Sequence, residues 1–134
     1  MASNNGKASE AIFMECVDGL VFRLRDKADL VGLNKGKNVA AFGQPSDFML
    51  LTKQGAFLTE VKSTINVNSF SFSGFTPAQK AAIYKSSKSG YGNCYRIYIH
   101  CIPLDRWYMI DADDFMQFMK QGKKSIKWNE LNIL

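Results

Sequence analysis

Apolar positions recur with a helical period from Lys7 to about Asp18, where Phe13, Val17 and Leu20 share a face with Ile12 and Cys16 beside it. Glu10 shares that inward face, three residues before Phe13, where a carboxylate is costly unless paired or bound to a metal. Leu20 to Arg25 alternates as a strand. Residues 26–44, rich in Lys, Gly and Asn, read as an irregular excursion with a short helix at 27–33. Phe48 to Thr52 is predicted as a strand, Lys53-Gln54-Gly55 as a turn, and Ala56 to Lys62 as a second strand. Alternation sets Leu58, Glu60 and Lys62 on one face of that strand and Phe57, Thr59 and Val61 on the other. Residues 63–76 read as a polar loop interleaved with Phe70, Phe72 and Phe75, which are expected in the core. Thr76-Pro77 opens a helix that runs to about Ser89 and stops at Gly90 or Gly92. Cys94 to Cys101 and Asp105 to Ile110 form a strand pair around Pro103. Asp111 caps a last helix with Asp113 and Asp114 in its first turn, Lys120 in its last and Gly122 at its end. Ile126, Trp128 and Leu131 are expected to dock on the body. The order predicts an α/β fold, a central five-stranded mixed sheet flanked by helices, in one domain over 1–134 with a flexible tail at 1–6.

Charge adds a partner class. The 134 residues carry a net charge of +5, and 46% are hydrophobic, enough for a core. No acidic residue lies between Glu60 and Asp105, while Lys62, Lys80, Lys85, Lys88 and Arg96 do. A second basic cluster holds Lys120, Lys123, Lys124 and Lys127. Such segments suit a polyanion, or are simply solvated lysine faces. Three cysteines without a CxxC and one histidine argue against a zinc site and fit a reducing, cytoplasmic setting. The N-terminus lacks the apolar stretch of a signal peptide, and no run approaches the roughly 20 apolar residues of a membrane helix, so no membrane partner is expected. There is no Gly-rich phosphate loop, hence no nucleotide cofactor, and no serine-nucleophile motif.

The candidate chemistry lies in Asp47…Glu60-Val61-Lys62. Antiparallel pairing about Gly55 puts Asp47 within about one rung of Glu60, with Cβ atoms about 5–7 Å apart. Cleaving a phosphodiester needs a hard cation to offset charge in the transition state, and Mg²⁺ takes one or two carboxylates and keeps several waters. Asp47 and Glu60 can supply those carboxylates, the Val61 carbonyl a further ligand, and Glu10 can complete the site directly or through a water. Lys62 can orient or help deprotonate the water, or offset developing charge. Gln79 can bond a phosphate or the water; the plain alternatives are a surface ion pair and an exposed glutamine. His100 is read as structural, and Asp113 and Asp114 as helix N-terminal charge.

Taken in order, these segments resemble the RecU-type Holliday-junction resolvases of bacteria and their phages, within the restriction-endonuclease-like superfamily. Gly6 to Glu10 resembles the family's opening helix with its metal-site glutamate, and Asp47 with Glu60 to Thr64 resembles its Asp…Glu-x-Lys core. Phe70 to Gln79 is similar to the segment leading to the family glutamine, Cys94 to Phe118 to the closing hairpin and helix, and Lys123 to Ile126 to a basic Lys/Arg-Ser-Ile. The match runs from residue 6 to about 126, and its specificity lies in order and spacing. Residues 27–44 stand where the family has a projecting stalk and look reduced; the chain also lacks the N-terminal arm, as in a compact, phage-type member. The resemblance implies a metal-dependent, structure-selective endonuclease of DNA recombination and repair. Its members are homodimers that nick four-way junctions symmetrically with Mg²⁺ or Mn²⁺. Lys80, Lys85, Lys88, Lys123 and Lys124 are the residues expected to grip DNA. A sequence-specific nuclease of restriction or homing type, and a non-catalytic DNA-binding module, are the competing expectations.

Overall fold

The computed structural model describes residues 2–24, 45–131 and 134. The excursion and short helix expected within 26–44 lie outside the described residues. Helix α1 (Ala2–Cys16) leads into β1 (Leu20–Arg23), β2 (Phe48–Thr52) and β3 (Gly55–Thr64). Then come β4 (Ser69–Ser71), α2 (Pro77–Lys88), β5 (Tyr95–Cys101), β6 (Arg106–Asp111), α3 (Ala112–Lys120) and β7 (Ser125–Lys127). The main sheet runs β1-β2-β3-β5-β6, with β3 and β5 parallel and the other neighbours antiparallel. It is the expected α/β architecture, one five-stranded mixed sheet with helices on its faces.

Two cores cover the two faces of β3. On one, Phe13 of α1 packs with Phe48, Leu50, Phe57, Val61 and Tyr98. On the other, Ile83 of α2 and Phe115 of α3 join Tyr95, Ile97, Ile99, Tyr108 and Ile110. Burial of both faces explains why β5 reads as a near-continuous apolar run. Phe70, Phe72 and Phe75 are all core residues, as expected.

Two expectations are corrected. The tail expected at 1–6 is helical from Ala2. The loop expected over 63–76 is the end of β3, then β4 and a 3₁₀ turn at Phe72–Gly74. β4 pairs with β7, which brings Ile126 against the core and turns the aromatic positions inward. That pairing joins residues more than fifty apart, so no local pattern announces it.

One feature of the sheet positions the site. The β2–β3 register ends at Phe48↔Thr59, whereas β3–β5 pairing continues to Thr64↔Cys101. From Glu60 to Thr64, β3 therefore has β5 on one side and no β2 partner on the other. Where the β2 pairing stops, a notch is left beside β3.

Candidate active site

Asp47 stands at the mouth of that notch. Continuing the register by one residue sets it opposite Glu60, and its backbone N–H donates to Glu60 Oε1 at 3.1 Å. Three bonds hold the segment in front of β2. The Tyr95 hydroxyl donates to the Pro45 carbonyl at 2.5 Å, the Ser46 hydroxyl to the Phe48 carbonyl at 2.8 Å, and the Leu24 N–H to the Asp47 carbonyl at 2.9 Å.

Glu60 is only 1% exposed. Burial, then the neighbouring charge of Asp47, push its carboxyl from 4.5 up to about 9; Lys62 and the Asp47 N–H pull the other way without prevailing. Without a cation the pair therefore holds a proton near neutral pH. Burial, Glu60 and Asp47 also push up the Tyr95 phenol, which is 0% exposed.

Gln79 links the acid to the lysine. Its Nε2 donates to Glu60 Oε2 at 3.2 Å, and its Oε1 accepts from Lys62 Nζ at 2.9 Å and from the Thr76 N–H at 2.9 Å. Lys62 and a backbone N–H can only donate, which fixes the orientation of the amide. The Gln79 N–H in turn donates to Thr76 Oγ1 at 3.1 Å, so the residue is also half of the capping box of α2. Lys62 Nζ further donates to the Gly74 carbonyl at 3.0 Å and lies 5.0 Å from the Phe75 ring centroid. An ammonium has three donors; two are engaged among the described residues, leaving one for a water or a phosphate oxygen.

Asp47, Glu60, Lys62 and Gln79 are thus brought together, with Val61 in the stretch of β3 that pairs with β5 but not with β2. Glu10 accepts from Arg23 at 3.0 Å, and no group of three Asp, Glu, His or Cys side chains that could hold a metal forms among the described residues. Lys80 follows Gln79 on α2, half-buried, while Lys85 and Lys88 are exposed in the last turn, about 8 and 12 Å further along the helix. Lys123 is paired with Glu130, and Lys124 is exposed.

The donor set fits a hard divalent cation. One buried and one partly exposed carboxylate stand side by side at the end of the β2–β3 pairing, the kind of oxygen donors such an ion takes. The like-charge repulsion that lifts the Glu60 carboxyl is what such an ion relieves.

Sequence reasoning missed Tyr95, Arg23 and the Gly74 carbonyl. Nothing local marks Tyr95, which reaches back fifty residues to Pro45. The double use of Gln79 was visible, because Thr76-Pro77-Ala78-Gln79 has capping-box spacing. Tyr95→Phe keeps the packed ring and removes one bond to the Asp47 segment. We expect near-native melting and about tenfold weaker Mn²⁺ binding than in the unsubstituted protein, read by titration calorimetry.

A second polar cluster looks catalytic but is not placed for it. Ser9 Oγ lies 2.8 Å from His100 Nδ1, and His100 Nε2 lies 3.0 Å from Asp105 Oδ1. Ser9 is 1% exposed beneath α1, so its hydroxyl meets no substrate. His100, stacked on Trp107 at 4.5 Å, ties α1 to β5, the structural role expected of it.

No protein-family model matches the chain, and no curated protein matches it significantly. Among solved structures, a nuclease from a fusselovirus aligns over 98% of this chain and 82% of its own, with 12% identity and a TM-score of 0.42. A likeness at that level bears on neither substrate nor chemistry. No helix among the described residues is long and apolar enough to cross a membrane.

Proposed function

We propose that the protein is a divalent-metal-dependent endonuclease that resolves four-way DNA junctions. The observation that carries the reading is the pairing of Asp47 with buried Glu60 at an open strand edge, with Lys62 tied to the same amide as Glu60. Asp47 and Glu60 hold Mg²⁺ or Mn²⁺, with the Val61 carbonyl in reach of the same edge. Bound there, the ion offsets charge on the phosphoryl oxygens and lowers the pKa of a water. Lys62 offers its third donor to the water or the phosphate, and Gln79 holds Lys62 and Glu60 in register. Glu10, paired with Arg23 here, would complete the site directly or through a water.

Junction selectivity rests on the order of segments shared with the RecU-type resolvases. A homodimer is part of the proposal, since two sites related by a two-fold axis match the symmetry of a four-way junction. Lys80, Lys85, Lys88 and Lys124 supply backbone contacts; Lys123 does so by exchanging Glu130 for a phosphate.

The test is an immobile four-way junction against a linear duplex of the same sequence, with and without Mg²⁺. We expect paired nicks in opposed strands leaving 5′-phosphates, and binding that weakens steeply with salt. Cutting of the duplex at one sequence, with the junction ignored, would favour the restriction-type reading. Binding without cutting in any divalent ion would leave a DNA-binding module.

A further inference from the structure

The notch beside β3 does not end at Glu60. A cleft of about 550 Å³ continues along residues 61–65, between Asn5 and Gly6 of α1 on one side and Phe70 and Gly74 on the other. Its floor is the part of β3 that β2 does not cover. Lys62 is part of the wall, and among the described residues that line the cleft none is acidic. From Glu60 to Thr64 the strand spans about 13 Å, beyond the reach of the reacting phosphate alone. The lining is mixed: Lys62, Ser63, Thr64 and Asn5 are polar, while Ile65, 69% exposed, brings apolar surface to the mouth. A cationic and hydroxyl-bearing wall with an apolar rim suits one phosphate joined to a sugar and base.

We propose that this cleft is a nucleotide subsite. It seats the deoxynucleotide next to the scissile phosphate, as a single strand lying along the stretch of β3 that β2 does not pair with. The inference rests on the nuclease reading and adds what that reading leaves open, the path of the cut strand away from the carboxylates. Selectivity for branched DNA then gains a physical source, because strands that splay at a junction enter a one-strand cleft and a closed duplex does not.

Gly6 supplies the test. It lies in α1, lines the cleft, and an added Cβ there meets nothing within 4 Å. Gly6→Leu therefore fills the cleft while favouring the helix. We expect KM for junction DNA to rise about tenfold with kcat and the Mg²⁺ requirement unchanged, and Gly6→Ala to behave as the unsubstituted protein. Independently of cutting, a 5′-phosphorylated deoxytrinucleotide added to the full-length Glu60→Gln protein should shift the amide resonances of Gly6, Ser63 and Thr64. Should Gly6→Leu fail to fold, this titration decides alone. An unchanged KM in folded Gly6→Leu, or shifts confined to Lys80, Lys85 and Lys88, would overturn the subsite while leaving the nuclease reading intact. Shifts at the cleft in a protein whose unsubstituted form never cuts DNA would uphold the subsite and sink the nuclease reading.

Discussion

Glu60→Gln and Asp47→Asn should each slow Mg²⁺-dependent cutting by about a thousandfold or more, while the protein stays folded and still binds the junction. The size follows from position. Glu60 is 1% exposed and bonds Asp47 and Gln79, and no group of three carboxylate, His or Cys side chains stands ready to replace it among the described residues. An amide keeps the shape of the side chain and an acceptor for the Asp47 N–H, but it is a poor ligand for a hard cation. Near neutral pH the metal-free carboxyl already carries a proton, so the folded state loses little when the acid becomes an amide. Single-turnover rates on an end-labelled junction measure the loss, and melting curves establish that the fold survives. Undiminished cutting by both variants would reject the assignment of these carboxylates. Lys62→Ala should cost less, about a hundredfold, since it removes a donor and leaves the ligands in place.

The second large effect is on stability against pH. Glu60 titrates at 4.5 ordinarily and at about 9 in the folded chain. Between those values the folded state keeps a proton that the unfolded chain has lost. The contribution is therefore fully present below 4.5 and is lost as pH rises toward about 9. On the order of several kcal/mol of destabilisation should accumulate across that window, with burial the larger cause and Asp47 the smaller. Metal-free protein should melt markedly lower at the alkaline end than at the acid end. Glu60→Gln should flatten the profile, because its amide does not titrate. Mg²⁺ should raise the melting temperature most at the alkaline end, where the ion no longer competes with a proton. A profile identical in the two proteins would mean that Glu60 does not titrate as its surroundings require.

The sequence carried the β2–β3 hairpin because its signals are local. The turn at Gly55 and the alternation of Leu58, Glu60 and Lys62 place Asp47 across from Glu60 before any tertiary contact is considered. Both helix caps were legible for the same reason: Thr76 and Asp111 each bond an N–H three residues on. What escaped was long-range. The β4–β7 ribbon, the reach of Tyr95 to Pro45 and the Ser9–His100 tie join residues fifty or more apart. Glu10 shows the limit of reading a helix face. Its period placed it inward with Phe13, and the pairing with Arg23 at the end of β1, thirteen residues on, was not legible in that period. The uncovered edge of β3 was also invisible, since it depends on β2 starting at Phe48 while β3 runs on to Thr64.

All of this turns on one exchange at the notch, a divalent ion for the proton on Glu60. Titration calorimetry with Mn²⁺ near neutral pH, in two buffers of different ionisation enthalpy, reads it directly. The account predicts one binding site that releases about one proton per ion, lost in Asp47→Asn and in Glu60→Gln. Binding without proton release, or binding unchanged in both variants, would contradict it.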